Sequence, residues 1–321
     1  MAEFLAQLQF SASITGPICL MLLLGVFLKR IAVIDDAFID VASRLVFQVT
    51  LPALLFLSIV GSEHDFSSST PLILFGLSAN LIFFVFVVIA TKTLFSGSND
   101  KGVVIQGSYR ANTAIIGLAY VANAYGETGI ALAAIYVAPM TILYNILAVI
   151  ALSPKNDKEK SSGLKAFAVI VKGITKNPLI IAIMLGLIVY FLSIPIPKMV
   201  LNAGQYFASM TLPLALLCTG GSLNIKSLKG DQRATWFATV NKLVFAPIII
   251  TGAALLFGFR GLDIGIVFFM SAAPTAAASY VMARAMGGNA ALAANIIALT
   301  TVTSLVTCTL GIFALSTLSL M

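Results

Sequence analysis

The sequence predicts an all-α polytopic membrane protein: ten transmembrane helices arranged as two inverted five-helix repeats, with spans four and nine broken. Three observations predict it. The first is composition. Of 321 residues, 60% are hydrophobic and only 10% charged, against about 25% charged in an ordinary soluble domain. A water-facing surface needs more polar cover than that, and a disordered chain needs low hydrophobicity and high charge. The second is the segmentation of the apolar residues into ten runs. The third is a set of residues that recur at one constant offset.

A spanning helix needs about 20 apolar residues, because the hydrocarbon core is about 30 Å thick and a helix rises 1.5 Å per residue. That ruler gives runs near 9–28, 38–60, 71–95, 103–124 and 129–152, then 174–194, 199–224, 233–258, 264–285 and 289–316. Glu3, with no Lys or Arg before the first run, is unlike the basic start of a signal peptide, so the first run is expected to stay as a helix. The second follows the acidic pair Asp35-Asp36, which reads as a solvated helix start rather than a metal site. The polar stretch Ser153–Lys165 splits the ten runs five and five, giving a first repeat at 1–152, a linker at 153–165 and a second repeat at 166–321. Trp236, where the eighth run begins, suits an interfacial anchor.

Basic residues then set the orientation. Alternate connectors hold Lys29 and Arg30; Lys92 and Lys101; Lys155, Lys158, Lys160, Lys165, Lys172 and Lys176; Lys226, Lys229 and Arg233; and Arg284, together 14 of 19. The opposite connectors hold Lys198 and Arg260 among five acidic residues. By the positive-inside rule the first side is cytoplasmic. The expected location is the bacterial cytoplasmic (inner) membrane, multi-pass, with both termini outside. The net charge of +7 is therefore a mark of topology, and no basic, aromatic-interleaved stretch offers itself to nucleic acid.

At an offset of 161 residues, Pro17 and Gly25 match Pro178 and Gly186, and Thr50-Leu51-Pro52 matches Thr211-Leu212-Pro213. Asn80 matches Asn241, and Gly126 matches Gly287. Pro and Gly recur in membrane helices anyway, but the tripeptide and the Asn pair do not depend on that habit. Five spans per copy is an odd number, so the second copy must insert upside down, as in secondary transporters with a midplane site between repeats.

Span four carries Arg110-Ala111-Asn112-Thr113, with Asn112 and Thr113 roughly 14–15 Å deep, and span nine carries Ala273-Pro274-Thr275, with Pro274 about 15 Å deep. Thr113 and Pro274 are 161 apart. Pro removes a donor and clashes with the preceding turn. The small residues Ser271–Ser279 admit another backbone, and freed backbone groups must face protein, water or ligand. Two interrupted helices at one depth thus form a polar site, whose helix amino ends attract anions and whose carbonyls can hold a cation. The plainer reading is a kink at Pro274 with tight packing around it. Pro52 and Pro213 read as kinks beside the site, with Gly117 and Gly220 as accompanying hinge positions.

All 12 acidic residues lie in connectors or at span ends, whereas Arg44, Arg110 and Lys242 lie inside spans. Interior cations without interior anions favour an anionic substrate, and Arg can grip a carboxylate through two hydrogen bonds. Arg44 and Arg110 are shallow enough to reach the interface instead. Asn80, Asn241, Asn145, Thr300 and Thr301 are further candidates for a polar lining; Ser and Thr in such helices often only satisfy backbone. Cys19, Cys218 and Cys308 stand singly in apolar runs and read as small packing residues, and His64, in a polar loop with Glu63 and Asp65, as a solvated side chain. Phosphate-loop and zinc-protease motifs are missing and one His cannot complete a hydrolase triad, so neither enzyme chemistry nor a cofactor or metal is expected.

Leu51-Pro52-Ala53-Leu54, Asn112-Thr113-Ala114-Ile115-Ile116-Gly117-Leu118, Lys176-Asn177-Pro178 with Gly186, Leu212-Pro213-Leu214-Ala215-Leu216-Leu217 with Gly220, and Ala273-Pro274-Thr275-Ala276 with Tyr280-Val281-Met282-Ala283 together resemble the auxin efflux carrier family along nearly the whole chain. The match is to its bacterial members, some of which look like malonate or other organic-acid carriers. The resemblance implies crossed broken helices at spans four and nine, scaffold and transport parts moving as an elevator, and often a homodimer. It assigns Asn112, Thr113, Pro274 and Thr275 to the crossover. Plant members carry Asn-Pro-Asn where this chain has Ala111-Asn112-Thr113, many members have Pro at the position of Ala119, and Asn289 stands where Asp is common.

The resulting expectation is a secondary carrier of a small organic anion, mono- or dicarboxylate, in the lipid bilayer, with a proton or sodium as coupling ion. The alternatives are a sodium-coupled symporter of the bile-acid type, which shares this architecture, and a non-transporting receptor on the same fold.

Overall fold

A computed structural model describes residues 2–62, 69–152, 175–223 and 232–321. His64 with Glu63 and Asp65, the 153–165 linker, Lys172, Lys226 and Lys229 lie outside them. Among the described residues the chain is helical throughout, with one isolated backbone bridge and no strand.

The elements run α1 (Ala2–Arg30), α2 (Asp36–Leu45), α3 (Leu51–Val60), α4 (Thr70–Leu94), α5 (Lys101–Tyr109), α6 (Leu118–Leu152), α7 (Pro178–Phe191), α8 (Lys198–Ser222), α9 (Gln232–Val240), α10 (Ala246–Leu256), α11 (Gly261–Ala272), α12 (Ala278–Ala285) and α13 (Ala290–Thr317). Three π-helical turns, Val46–Thr50, Thr113–Gly117 and Asn241–Phe245, join α2 to α3, open α6, and join α9 to α10. Among the described residues six stretches are long and apolar enough to cross a membrane: Ala6–Arg30, Asp36–Val60, Thr70–Leu94, Thr113–Leu152, Gln232–Leu256 and Ala290–Thr317. The outward faces agree with that reading. Leu20, Leu23, Leu74, Ile82, Ile89, Ile248, Val306 and Leu310 are all exposed, an apolar surface that a soluble protein would cover.

Local chemistry explains where helices start. Asp35 caps α2 by accepting the Phe38 N–H at 2.7 Å, and Asp36 in the first turn pairs with Lys29 at 2.6 Å, so the acidic pair is a helix start. Asn177 accepts the Leu179 and Ile180 N–H groups, with Pro178 opening α7, where its missing donor costs nothing.

Two sequence expectations about proline change. The helix does not break at Pro52; it widens into a π-turn just ahead of it. The carbonyl that Pro52 would strike is that of Gln48, inside the wide turn, and Pro247 stands in the same relation to the turn at Asn241–Phe245. At Pro213 and Gly220, α8 runs on without interruption. Gly220 serves close approach instead: a Cβ there would collide with the Leu22 carbonyl of α1.

Several positions 161 residues apart share their local structure. Gly25 of α1 lies against the Leu217 carbonyl of α8, and Gly186 of α7 lies against the Phe56 carbonyl of α3. Asn80 donates to the Gly76 carbonyl and Asn241 to the Phe237 carbonyl, both at 2.8 Å. Gly126, which kinks α6, and Gly287, which separates α12 from α13, both have left-handed backbone, φ +60° and +73°.

The most enclosed helices are the short ones. Val103–Tyr109 of α5 and Ile264–Ala272 of α11 are buried on every face, α5 with the polar Gln106 and Ser108 included. Both point at the same place.

Candidate functional site

α5 ends at Tyr109, and Arg110 and Asn112 leave helical geometry (φ −76°, ψ 104° and φ −81°, ψ 63°) before a π-turn begins at Thr113. α11 ends at Ala272 because Pro274 cannot donate and forces the residue before it out of the helix; Ala273 has φ −57°, ψ 141°. The two interruptions meet as an antiparallel bridge between Ala111 and Thr275. The Asn112 N–H donates to the Pro274 carbonyl at 2.7 Å and the Ala276 N–H to the Arg110 carbonyl at 3.0 Å. Backbone groups freed by one broken helix are thus satisfied by the other, the condition for irregular backbone inside a membrane.

Side chains lock this crossing. The Thr275 hydroxyl donates to the Gly107 carbonyl at 2.7 Å, and the Thr275 N–H donates to the Thr300 hydroxyl at 3.2 Å. Gly117, at the end of the π-turn, packs against Met270 and Ala273 of span nine and donates its N–H to the Asn112 carbonyl at 2.9 Å.

A cavity of about 200 Å³ opens at the crossing. Three helix beginnings line it: Asn112–Ile115, Ala276–Ala278, and Asn177 with Leu179. Arg110, Ala111, Thr141, Tyr144, Asn145 and Phe47 also line it, and among the described residues no acidic one does. The Arg110 guanidinium is buried, donating to Asn145 Oδ1 at 2.8 Å, to the Tyr144 carbonyl at 3.4 Å and to Met282 Sδ at 2.9 Å. Those partners are neutral, so its charge is not cancelled. Each helix amino end carries roughly half a positive charge, with the Leu179 and Ile180 N–H groups already capped by Asn177 and the Ala276 N–H bonded to the Arg110 carbonyl. The convergence of these ends beside an uncancelled guanidinium makes an electropositive pocket.

The structure brings together Arg110, Asn112, Thr113, Pro274, Thr275, Asn145 and Thr300. Asn80 joins at one remove, accepting the Tyr144 hydroxyl at 2.9 Å. Thr301 donates to the Ile297 carbonyl of its own helix, and Asn241 to that of Phe237. Arg44 is exposed and bonds back to the Asp40 carbonyl at 3.4 Å; it lines a separate surface hollow that shares Phe47 with the crossing cavity. Lys242 is buried but does not line the cavity; its ammonium donates to the Ser271 carbonyl at 2.5 Å. Sequence reasoning missed Asn177, Thr141 and Tyr144 as lining residues. Only Asn177 had a readable signal, an Asn-Pro helix start at the head of an apolar run.

The sequence profile for membrane transport proteins matches residues 15–312. The chain is similar to an uncharacterized transporter of Methanocaldococcus jannaschii, 24% identical over 305 residues that cover 90% of this chain and 93% of that one. It is also similar to an uncharacterized transporter of Methanothermobacter thermautotrophicus, 23% identical over 295 residues with the same coverage.

Proposed function

Because the chain belongs to the membrane transport protein family, the family of the auxin efflux carriers that its motifs resemble, we propose that it is a secondary carrier of a small organic anion. The observation that carries this reading is the crossing cavity: three helix beginnings and Arg110 line it, and among the described residues no acidic one does. Its small, partly polar lining suits a short mono- or dicarboxylate. Arg110 grips a carboxylate, Asn112, Asn145 and Asn177 donate or accept beside it, and Thr113 offers both a hydroxyl and a helix-start N–H.

In this reading the chain is two inverted repeats, 1–152 and 166–321, around the crossing, as the paired contacts at an offset of 161 support. Alternating access is an elevator-type displacement of the part holding the crossing against the part holding α3 and α8, in a homodimer in the inner membrane with both termini outside. Transport rather than catalysis suits a site with no nucleophile–base pair.

Uptake of labelled malonate and other short carboxylates into proteoliposomes tests the reading. Asn112→Ala and Arg110→Gln are expected to abolish saturable uptake while the variants still elute as folded protein. Saturable uptake undiminished in both would remove the crossing as the substrate site. Binding without counterflow exchange would make the protein a receptor.

A further inference from the structure

The two half-helices that run into the crossing, α5 and α11, both present their carbonyl ends to it. Such ends carry partial negative charge, and in secondary transporters they are where a coupling sodium ion is held. Arg110 closes α5, but its guanidinium turns to Tyr144, Asn145 and Met282 and not to the carbonyls of that helix. At the end of α11 a cation is built into the chain: Lys242, whose ammonium rests on the Ser271 carbonyl in the last turn.

Lys242 is held there by an unusual device. It is 1% exposed, whereas Leu81, the residue 161 positions earlier, is 45% exposed. The Asn just before each of them, Asn80 and Asn241, is buried and makes the same bond one turn back. The two segments part company directly after that Asn: Thr70–Leu94 continues as α-helix, while Asn241–Phe245 is a π-turn. Lys242 lies inside that wide turn, and its side chain reaches the Ser271 carbonyl of α11. Among the described residues the Ser271 carbonyl is the hydrogen-bond partner of the ammonium, and no carboxylate pairs with it. Its electrostatic complement is the half-helix end itself.

We propose that Lys242 is a tethered cation occupying the place at the end of α11 where a coupling metal ion would otherwise sit, so that the crossing is assembled without sodium. This gives Lys242 a positioning role, distinct from the substrate contact that its depth alone suggests. The inference concerns the cation and does not depend on which anion is carried.

Thermal unfolding of the purified protein, in sodium chloride and in choline chloride of equal ionic strength, tests it without any transported substrate. The wild type is expected to melt at the same temperature in both salts. Lys242→Ala is expected to melt several degrees lower in choline and to recover part of the loss in sodium or methylammonium chloride, small cations that fit the vacated space. Lys242→Arg should keep the salt indifference of the wild type. A wild-type melting temperature raised by sodium over choline overturns the proposal, as does an alanine variant that responds alike to all three salts. Should Lys242→Ala fail to fold, Lys242→Gln is read by the same comparison, and the wild-type arm decides on its own. Because chloride is constant across the salts and no carboxylate is present, failure here leaves the carboxylate-uptake test untouched.

Discussion

Thr275 and Arg110 carry different burdens at the same crossing. The Thr275 hydroxyl is committed to the Gly107 carbonyl, so its contribution is to stability. Thr275→Val leaves that carbonyl without its partner, at about 1–3 kcal/mol, and a melting temperature several degrees lower is expected, with Thr275→Ser restoring most of it. An unchanged melting temperature for the valine variant would mean the bond contributes nothing. Arg110 instead spends its donors on neutral oxygens and a sulfur and remains free to attract charge. The polar residues nearest the break were legible in the sequence, because Arg110, Asn112 and Thr113 fall together at the depth of Pro274 in the matched span. Asn177 and Tyr144 were not, because Tyr sits comfortably in any membrane helix and an Asn before Pro reads first as a cap. Lys242 was legible as buried, but its direction was not.

Helix contacts depend on glycine wherever two backbones approach. At Gly25 a Cβ would run into the Leu217 carbonyl, which cannot rotate away as a side chain can. Gly25→Leu should therefore push α1 from α8 at a cost of about 1–3 kcal/mol, the usual range for overpacking, and lower the yield of folded protein in detergent. Gly16→Leu, at a position where a Cβ meets nothing within 4 Å, is the matched control. Equal losses in the two variants would show that the close approach is not what matters. That the chain is helical followed from its apolar runs, and capping residues such as Asp35 marked some starts, whereas helix lengths, from Lys101–Tyr109 to Leu118–Leu152, did not follow. The π-turns had no sequence signature, since one residue inserted into a helix changes neither composition nor period enough to be read. They appear only once the helix is built and must accommodate Pro52, Pro247 or the break at Asn112.

The whole molecule has an expected orientation that can be measured directly. On a cysteine-free background, a single cysteine at Arg260 should react with a membrane-impermeant maleimide on intact cells, and one at Arg233 only after permeabilisation. The reverse pattern would invert the topology, and labelling of both from outside would dismantle the span assignment between them. Sequence alone determined that this chain is an apolar, helical membrane protein and that its backbone is interrupted near Asn112 and Pro274. Those properties are written in composition and in the spacing of Pro, Gly and polar residues along the chain. Only the tertiary structure decided that the two interruptions bond to each other, that three helix amino ends share one small cavity with Arg110, and that Lys242 turns away from that cavity to the end of α11. Each of these depends on which backbone groups from distant segments satisfy one another in the absence of water, and that pairing has no local trace in the chain.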